Sequence, residues 1–514
     1  MEIEPFDPWN GREWRRMQAW RLKQLGWTQR DIAIALAVSE SAVSQWLAAA
    51  RAGGTAALRS RPIPGHPAQL TPDQLRLLPD FLWHGPEAYG FRGEVWTCAR
   101  VADPRPGTGV IPLADALMSA FAMFALKDPS LLAFDERRHD ENLRALYRIG
   151  RVPSDTQLRA ILDLVPPEAL RPAYQDVFRQ LQRGKALESF VYLEGCYLLS
   201  LDGTGYFSSQ KVHCPSCMRK EHADGTVTYY HQLLGAALVH PDKKEVIPLA
   251  PEPIIKQDGQ TKNDCERNAA RRFLERFRRD HPHLPVIVVE DALSANGPHV
   301  RDLLEHDCHF ILGVKEGDHK YLFEEVQRRE ESGAGVEQLL LRGSDARVEQ
   351  RYTIVRDVPL NESHQDLRMT FLRYLEVNKS EEVTQVFTWV TDLTVTRTTA
   401  SQVARGGRAR WKIENETFNT LKNQGYRLEH NYGHGEQNLS VILALLMMLA
   451  FLVDQVQQLC DPVFRAAWQK LGSKRLLWER QRGLFYDYRL RSLREVHEAM
   501  LYGLVRPNLQ IDSS

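Results

Sequence analysis

Cysteine is scarce in this chain, with seven in 514 residues, an odd number scattered along its length. That excludes the dense disulfide framework of a small secreted scaffold. Net charge is absent, with 66 basic residues against 66 acidic ones. No hydrophobic run stands out as a membrane span. The longest, Leu439 to Val453, falls short of the roughly 20 residues that a span needs, and it reads as a buried core helix. The opening "MEIEPFDPWN" is acidic and carries no apolar signal core. Together these absences predict a cytoplasmic protein with no membrane association.

What is present belongs to a folded protein: 43% hydrophobic and 26% charged residues. The length is too great for one ordinary core and predicts two to four domains. The neutral total hides a local asymmetry. Between Arg12 and Arg61 stand nine basic residues and three acidic ones. A basic head on a neutral body calls for an anionic partner.

Within that head, Thr28 is placed to cap a helix through Leu36. After the short "AVS" link, Ser39 caps a second helix with Ala42, Val43, Trp46 and Leu47 on its apolar side. The pattern is that of a helix-turn-helix, with an ordinary helical hairpin as the alternative. The basic excess favours DNA. Glu40, Ser41, Ser44 and Gln45 face outward with side chains able to reach base edges, and Arg51 follows them.

Further on, the pattern divides the chain into a helix-turn-helix domain (1–61), a linker and small helical unit (62–100) and a helical domain (101–190). The first part of an α/β core follows (191–344), then a strand-only antiparallel insertion (345–395). Core helices (396–460) and a basic-rich helical segment (461–514) complete the chain. The core combines hairpin-linked strands with strand–helix alternation, which predicts a mixed α/β sheet flanked by helices.

Three acids stand out in that core. The apolar run in "YLLSLDGTGYFSS" ends on Asp202, and "LPVIVVEDALSANGPHV" runs into Glu290 and Asp291. In the helical stretch "RARWKIENETFNTLK", Glu414 sits four residues after Arg410 and on the same face. An unpaired carboxylate beside a buried strand costs several kcal/mol unless something positive meets it. Two strand-end aspartates and a helix-borne glutamate are hard oxygen donors suited to Mg²⁺ or Mn²⁺. Two such ions about 3.5–4 Å apart serve phosphodiester chemistry. Taken singly, each acid could equally be a solvated strand end or a helix-surface charge.

Taken together, "LSLDGTGYFSS", "VVEDALSANGPH" and "RWKIENETFNTLK" resemble the DDE transposases of bacterial insertion sequences, which have an RNase H-like catalytic core. The resemblance covers most of residues 100 to 510. It is nearest to the cut-and-paste group with a β-rich insertion before the catalytic glutamate. It implies Asp202, Asp291 and Glu414 as the catalytic, metal-holding triad. The spacing of 123 positions from Asp291 to Glu414 leaves room for the strand-only block. The group's Tyr-x2-Arg-x3-Glu-x6-Lys signature places Arg410 and Glu414 correctly. Its tyrosine position falls on Gly407 and its lysine position on Leu421, with Lys422 one residue late and Glu416 as a fallback third ligand. Arg410 and Lys422 would contact DNA phosphates, or else lie on a solvated helix face. The first hundred residues resemble the helix-turn-helix region of another insertion-sequence transposase lineage, joined near Trp96 to Cys98.

The implied function is metal-dependent cleavage at element ends and strand transfer into target DNA. The implied partners are terminal inverted repeats, target DNA and a second protomer, in a nucleoid-associated protein. A domesticated DNA-binding regulator that no longer cuts is the alternative, and a plain RNase H-like nuclease is a third reading.

A separate feature is "VHCPSCMRKEHADGTVTYYH". Cys214 and Cys217 form half of a tetrahedral zinc site, which His222 and His231 would complete, with His213 adjacent. The nine-residue gap between His222 and His231 fits no compact finger. Free thiols in a hairpin loop are the competing reading.

Overall fold

A computed structural model describes residues 11–36, 38–58, 103, 111–256, 263–342 and 348–503. The Pro-rich linker, the small helical unit and the junction expected between 62 and 100 lie outside the described residues. The chain divides into two compact units, Met1–Gly90 and Phe91–Ser514.

In the first unit, α1 (Gly11–Gln24), α2 (Gln29–Ala35) and α3 (Glu40–Gly53) close on a small core of Ala19, Ile32, Ala33, Leu36, Val43 and Leu47. Both expected caps form. The Thr28 hydroxyl accepts from the Asp31 amide at 3.2 Å, and that of Ser39 from the Ala42 amide at 3.3 Å. These oxygens satisfy amides that have no partner within the first helical turn. α2 and α3 meet at 112°, within the range of helix-turn-helix pairs. Burying Val43, Leu47 and Ala50 leaves Ser41, Ser44, Gln45 and Arg51 exposed on α3.

The second unit is built on an eleven-stranded mixed sheet. Its strands are β1 (Tyr197–Ser209), β2 (Met218–Glu221), β3 (Val227–Val239), β4 (Ile247–Pro248), β5 (Glu252–Ile254), β6 (Val286–Glu290), β7 (His309–Gly313), β8 (Val336–Arg342), β9 (Val348–Pro359), β10 (Arg368–Asn378) and β11 (Val383–Thr391). The order is β2-β3-β1-β6-β7-β11-β10-β9-β8, with β4 and β5 on β3. β1, β6 and β7 run parallel, and β3 is antiparallel to β1. The sequence of β6, "VIVVE", is buried at every position, as a central parallel strand covered on both faces must be. Helix Glu266–Asp280 covers the sheet with Ala269, Ala270, Phe273, Leu274 and Phe277, an apolar stripe at helical spacing.

The strand-only block does not form a sheet of its own. β11 pairs antiparallel with β7, placing Trp389 beside Gly313, so the insertion continues the core sheet. It also starts earlier than the sequence suggests, at Val336. The "QLLL" of β8 carries leucines, which favour helix by propensity, and pairing with β9 overrides that preference.

The apolar run near the C-terminus forms a longer helix than expected, Leu439–Cys460. By length and composition alone it could cross a membrane, but 89% of its most apolar window is buried inside the fold. It packs against the equally apolar helix Leu113–Ala125.

Candidate functional site

Strand register brings the first two acids together. β1 and β6 pair in parallel with Tyr197 beside Val286 and Ser200 beside Val289. Carried two residues onward, the same offset sets Asp202 level with Asp291. Residues at equal register on adjacent parallel strands lie about 4.8 Å apart and point to the same face. Asp202 is not at a strand end as expected: β1 continues to Ser209 along β3, and only its parallel pairing with β6 stops before Asp202, while Asp291 directly follows β6. Here both aspartates line a cleft of about 510 Å³, together with Glu266 and Asn296.

Glu290 and Asp291 both line this cleft, but Glu290 is already engaged. Glu290, 4% exposed, is held 2.6 Å from His299 Nε2 and accepts from the Ser294 hydroxyl at 3.2 Å. Asp291 accepts from the Leu293 amide at 2.9 Å and keeps its remaining oxygen capacity. Of the "ED" pair, only the aspartate is therefore free to take a cation.

Glu414 comes from the other side of the sheet sequence. Its segment, Ile413–Phe418, is a π-helical turn. Ile413 and Phe418 are buried, and Phe418 lies over Gly235 of β3, the register partner of Asp202. Arg410 anchors the segment: its carbonyl accepts from the Ser200 hydroxyl of β1 at 3.2 Å. Its guanidinium stands 2.6 Å from Glu414 and 3.8 Å from Asp202, so both acids surround one cationic group. Glu416 is not among the main charges acting on Asp202, and its charge acts on Lys474.

A π-turn absorbs one extra residue into a helix. It therefore brings Lys422, one residue late by the signature, back to the phase that a lysine seven residues after Glu414 would have in an uninterrupted α-helix. Lys422 there pairs with Glu429 at 2.8 Å. Arg410, expected to contact DNA phosphate, has a side chain 11% exposed and paired with the two acids.

The electrostatics of the cleft are those of too many carboxylates. Asp202 is pushed up to about 7, first by burial and then by Glu414, with Glu266 and Asp291 adding and Arg410 opposing. Glu266 is raised in turn by burial, Asp291 and Glu290. Sequence reading missed Glu266, which lies in "DCERNAARRF" with nothing to distinguish it from other helix-surface acids. It fits because position 203 is glycine: a Cβ there would overlap its carboxylate.

An all-oxygen donor set under mutual repulsion suits a hard divalent cation. As the side chains stand, the three acids do not all come within 4.8 Å of one another, so they do not encircle a single ion. Two ions about 3.5–4 Å apart, sharing one carboxylate, have no such requirement.

Gly235 allows the close approach of the glutamate segment. A Cβ at this position would lie 2.7 Å from the Phe418 ring. Gly235→Ala is expected to lower stability by about 1–3 kcal/mol, as overpacking does. A guanidinium denaturation midpoint equal to that of the wild type would contradict this.

The expected zinc set is corrected. His222 instead bonds the Thr228 hydroxyl at 2.8 Å within the hairpin. Cys214, Cys217 and His231 do converge, and the fourth member is His434, more than two hundred residues away. Its only sequence signal was a histidine between two glycines in "NYGHGEQN".

Comparison with known families agrees with this architecture. Residues 217–452 match the transposase DDE domain, and residues 10–59 match a homeodomain-like domain. The DDE match starts beyond Asp202 and includes Asp291 and Glu414. No curated protein matches the chain. With a homeodomain-like domain ahead of a transposase DDE domain, the chain is similar to the DDE transposases.

Proposed function

We propose that the protein cleaves DNA at the ends of a mobile element and joins the freed 3′-hydroxyl to target DNA. The observation that carries this reading is the shared register of Asp202, just past the β1–β6 pairing, and Asp291, just past β6, with Glu414 linked to Asp202 through Arg410. Asp202, Asp291 and Glu414 would hold two Mg²⁺ or Mn²⁺. Bound there, the ions supply activation of the attacking oxygen and charge stabilisation of the leaving one.

The chain's own groups prepare that chemistry. The β1–β6 register fixes the two aspartates without help from a flexible loop. The Ser200–Arg410 bond and the Phe418 contact hold the glutamate segment against the same strand. Arg410 neutralises part of the carboxylate repulsion and would exchange its acid partners for a DNA phosphate as cations enter. Lys422 would meet backbone phosphate from the same helix.

Recognition falls to α3. Ser41, Ser44 and Gln45 would read base edges in the major groove, and Arg51 would contact phosphate. Gln45→Ala should cost about 1–3 kcal/mol on the element's own end and flatten sequence preference. Arg51→Ala should weaken all DNA alike and reduce the salt slope by about one. Fluorescence anisotropy over a salt series separates the two; identical behaviour of both variants would remove the base-reading role. Two protomers are expected on DNA, since two ends must meet for transfer.

The test of the reaction is a strand-nicking and joining assay with Mg²⁺ on candidate end DNA. Joined products support transposition. Nicks without joining indicate a plain nuclease, and binding without cutting indicates a regulator.

A further inference from the structure

Four soft ligand groups meet at one point behind the catalytic strands, outside the acidic cleft. Cys214 and Cys217 lie between β1 and β2, His231 is on β3, and His434 lies just ahead of helix Leu439–Cys460. All four are buried, and their ligand atoms lie within 4.8 Å of one another. The Cys214 and Cys217 sulfurs are 3.8 Å apart. Cys217 Sγ stands 3.3 Å from Nε2 of both His231 and His434, and Cys214 Sγ stands 3.4 Å from His231 Nε2.

Hydrogen bonding alone does not explain this cluster. A thiol has a single proton, yet Cys217 faces two imidazole nitrogens and another sulfur. Both imidazoles also leave Nδ1 buried without a hydrogen-bond partner, so the rings are oriented by what lies at Nε2. The edges of a tetrahedron with Zn–S of about 2.3 Å and Zn–N of about 2.0–2.1 Å are roughly 3.8 Å for S–S and 3.5 Å for S–N. The observed separations approach those edges. Phe207 lies against the His434 ring at 4.2 Å and Tyr206 stacks on His231 at 5.8 Å, closing the site to water.

We propose that Cys214, Cys217, His231 and His434 bind one tetrahedral Zn²⁺ as a closed structural site. Its place in the fold defines its job. Two ligands belong to the loop after β1, the strand that carries Asp202, and one to β3, on which Phe418 rests. The fourth follows the glutamate segment. The ion ties the segment that carries Glu414 to the hairpin that carries Asp202, His434 standing 217 positions after Cys217. A structural zinc contributes binding free energy directly to folding. Thiolate ligands make the site soft, so it is separate from the oxygen-lined cleft.

The test needs neither DNA nor Mg²⁺. Elemental analysis of the purified full-length protein should find one zinc per chain. Protein loaded with Co²⁺ should show the intense visible bands of four-coordinate cobalt and a near-ultraviolet thiolate charge-transfer band. His434→Ala should lower metal affinity by more than the ~10–100-fold that loss of a mere orienting partner costs, while His222→Ala keeps the full zinc content. Asp202→Ala should also retain zinc, so failure of the cleavage reading leaves this one standing.

If His434→Ala proves insoluble, His434→Cys decides: it should bind cobalt with a stronger thiolate band. Wild-type protein without zinc or cobalt uptake overturns the proposal. So does zinc kept by His434→Ala and lost by His222→Ala, or a His434→Cys variant that binds no metal.

Discussion

Alanine at Asp202 reduces Mg²⁺-dependent strand nicking by about a thousandfold or more, with Glu414→Ala comparable and DNA binding retained by both. The size follows from the several kcal/mol of charge stabilisation that a bound cation supplies, each 1.36 kcal/mol being about tenfold in rate. Glu416→Ala, by contrast, should cut normally, because Glu416 is not among the main charges acting on Asp202 and acts on Lys474 instead. Equal nicking by wild type, Asp202→Ala and Glu414→Ala would defeat the assignment. The same cleft predicts a pH profile. Asp202 is pushed up to about 7, by burial first and the Glu414 charge second. Below that value it carries a proton and cannot ligate, so cation affinity and nicking both rise as pH climbs through about 7. Glu414→Gln removes one of the repelling charges and moves the transition in cation affinity to lower pH. The sign for stability is the reverse. A carboxyl that binds its proton more tightly in the folded chain makes folding less favourable as pH rises from its ordinary 3.8 toward 7. Mg²⁺ should offset that loss, and a midpoint indifferent to both pH and Mg²⁺ would contradict the crowded-acid description.

The second large effect lies away from the cleft. Asp454→Ala is expected to destabilise the protein by about 3–5 kcal/mol, the range for breaking a buried ion pair by removing one partner. Asp454 sits in the apolar helix Leu439–Cys460, 2.6 Å from Lys127 Nζ, with side chains 6% and 0% exposed. The ammonium also lies 4.2 Å from the ring centres of both Tyr426 and Trp478, and the Tyr426 hydroxyl donates to the same carboxylate. Burial lowers the Lys127 pKa, against the raising effect of Asp454. Losing Asp454 would strand an ammonium among aromatic rings. Lys127 moreover has a left-handed backbone, φ 57°, which favours glycine, so its ion pair offsets a local cost. The double variant Lys127→Met/Asp454→Leu should recover most of the loss, since replacing a buried pair by apolar residues is often neutral or stabilising. Guanidinium denaturation of the three proteins measures this. A single-variant loss below about 1 kcal/mol would mean that the pair behaves as a surface one.

Much of the site was legible in residues because local chemistry marks it. An acid that ends an apolar run is conspicuous, and Asp202 and Asp291 both do so. Thr28 and Ser39 announced their helices because a side-chain oxygen before an apolar period satisfies amides that nothing else reaches. Misjudged elements had ambiguous local signals. The leucines of β8 gave no clear strand signal, so the strand block was expected to begin only at 345, and the length of Leu439–Cys460 was hidden by the polar residues of its last turns.

By itself, the sequence determined the residue types: hard oxygen donors after apolar runs, a pair of thiols with two residues between them, and capped helices in a basic head. Only the tertiary structure decided which of those groups meet. Register across β1 and β6 sets Asp202 level with Asp291, a π-turn corrects the phase of Lys422, and Arg410 pairs with the two acids. A histidine from beyond Glu414, not the nearby His222, joins the two thiols. The physical reason is common to all of these. Periodicity and capping act over one or two turns, whereas convergence of ligands depends on contacts between segments that chain distance leaves independent until the core closes.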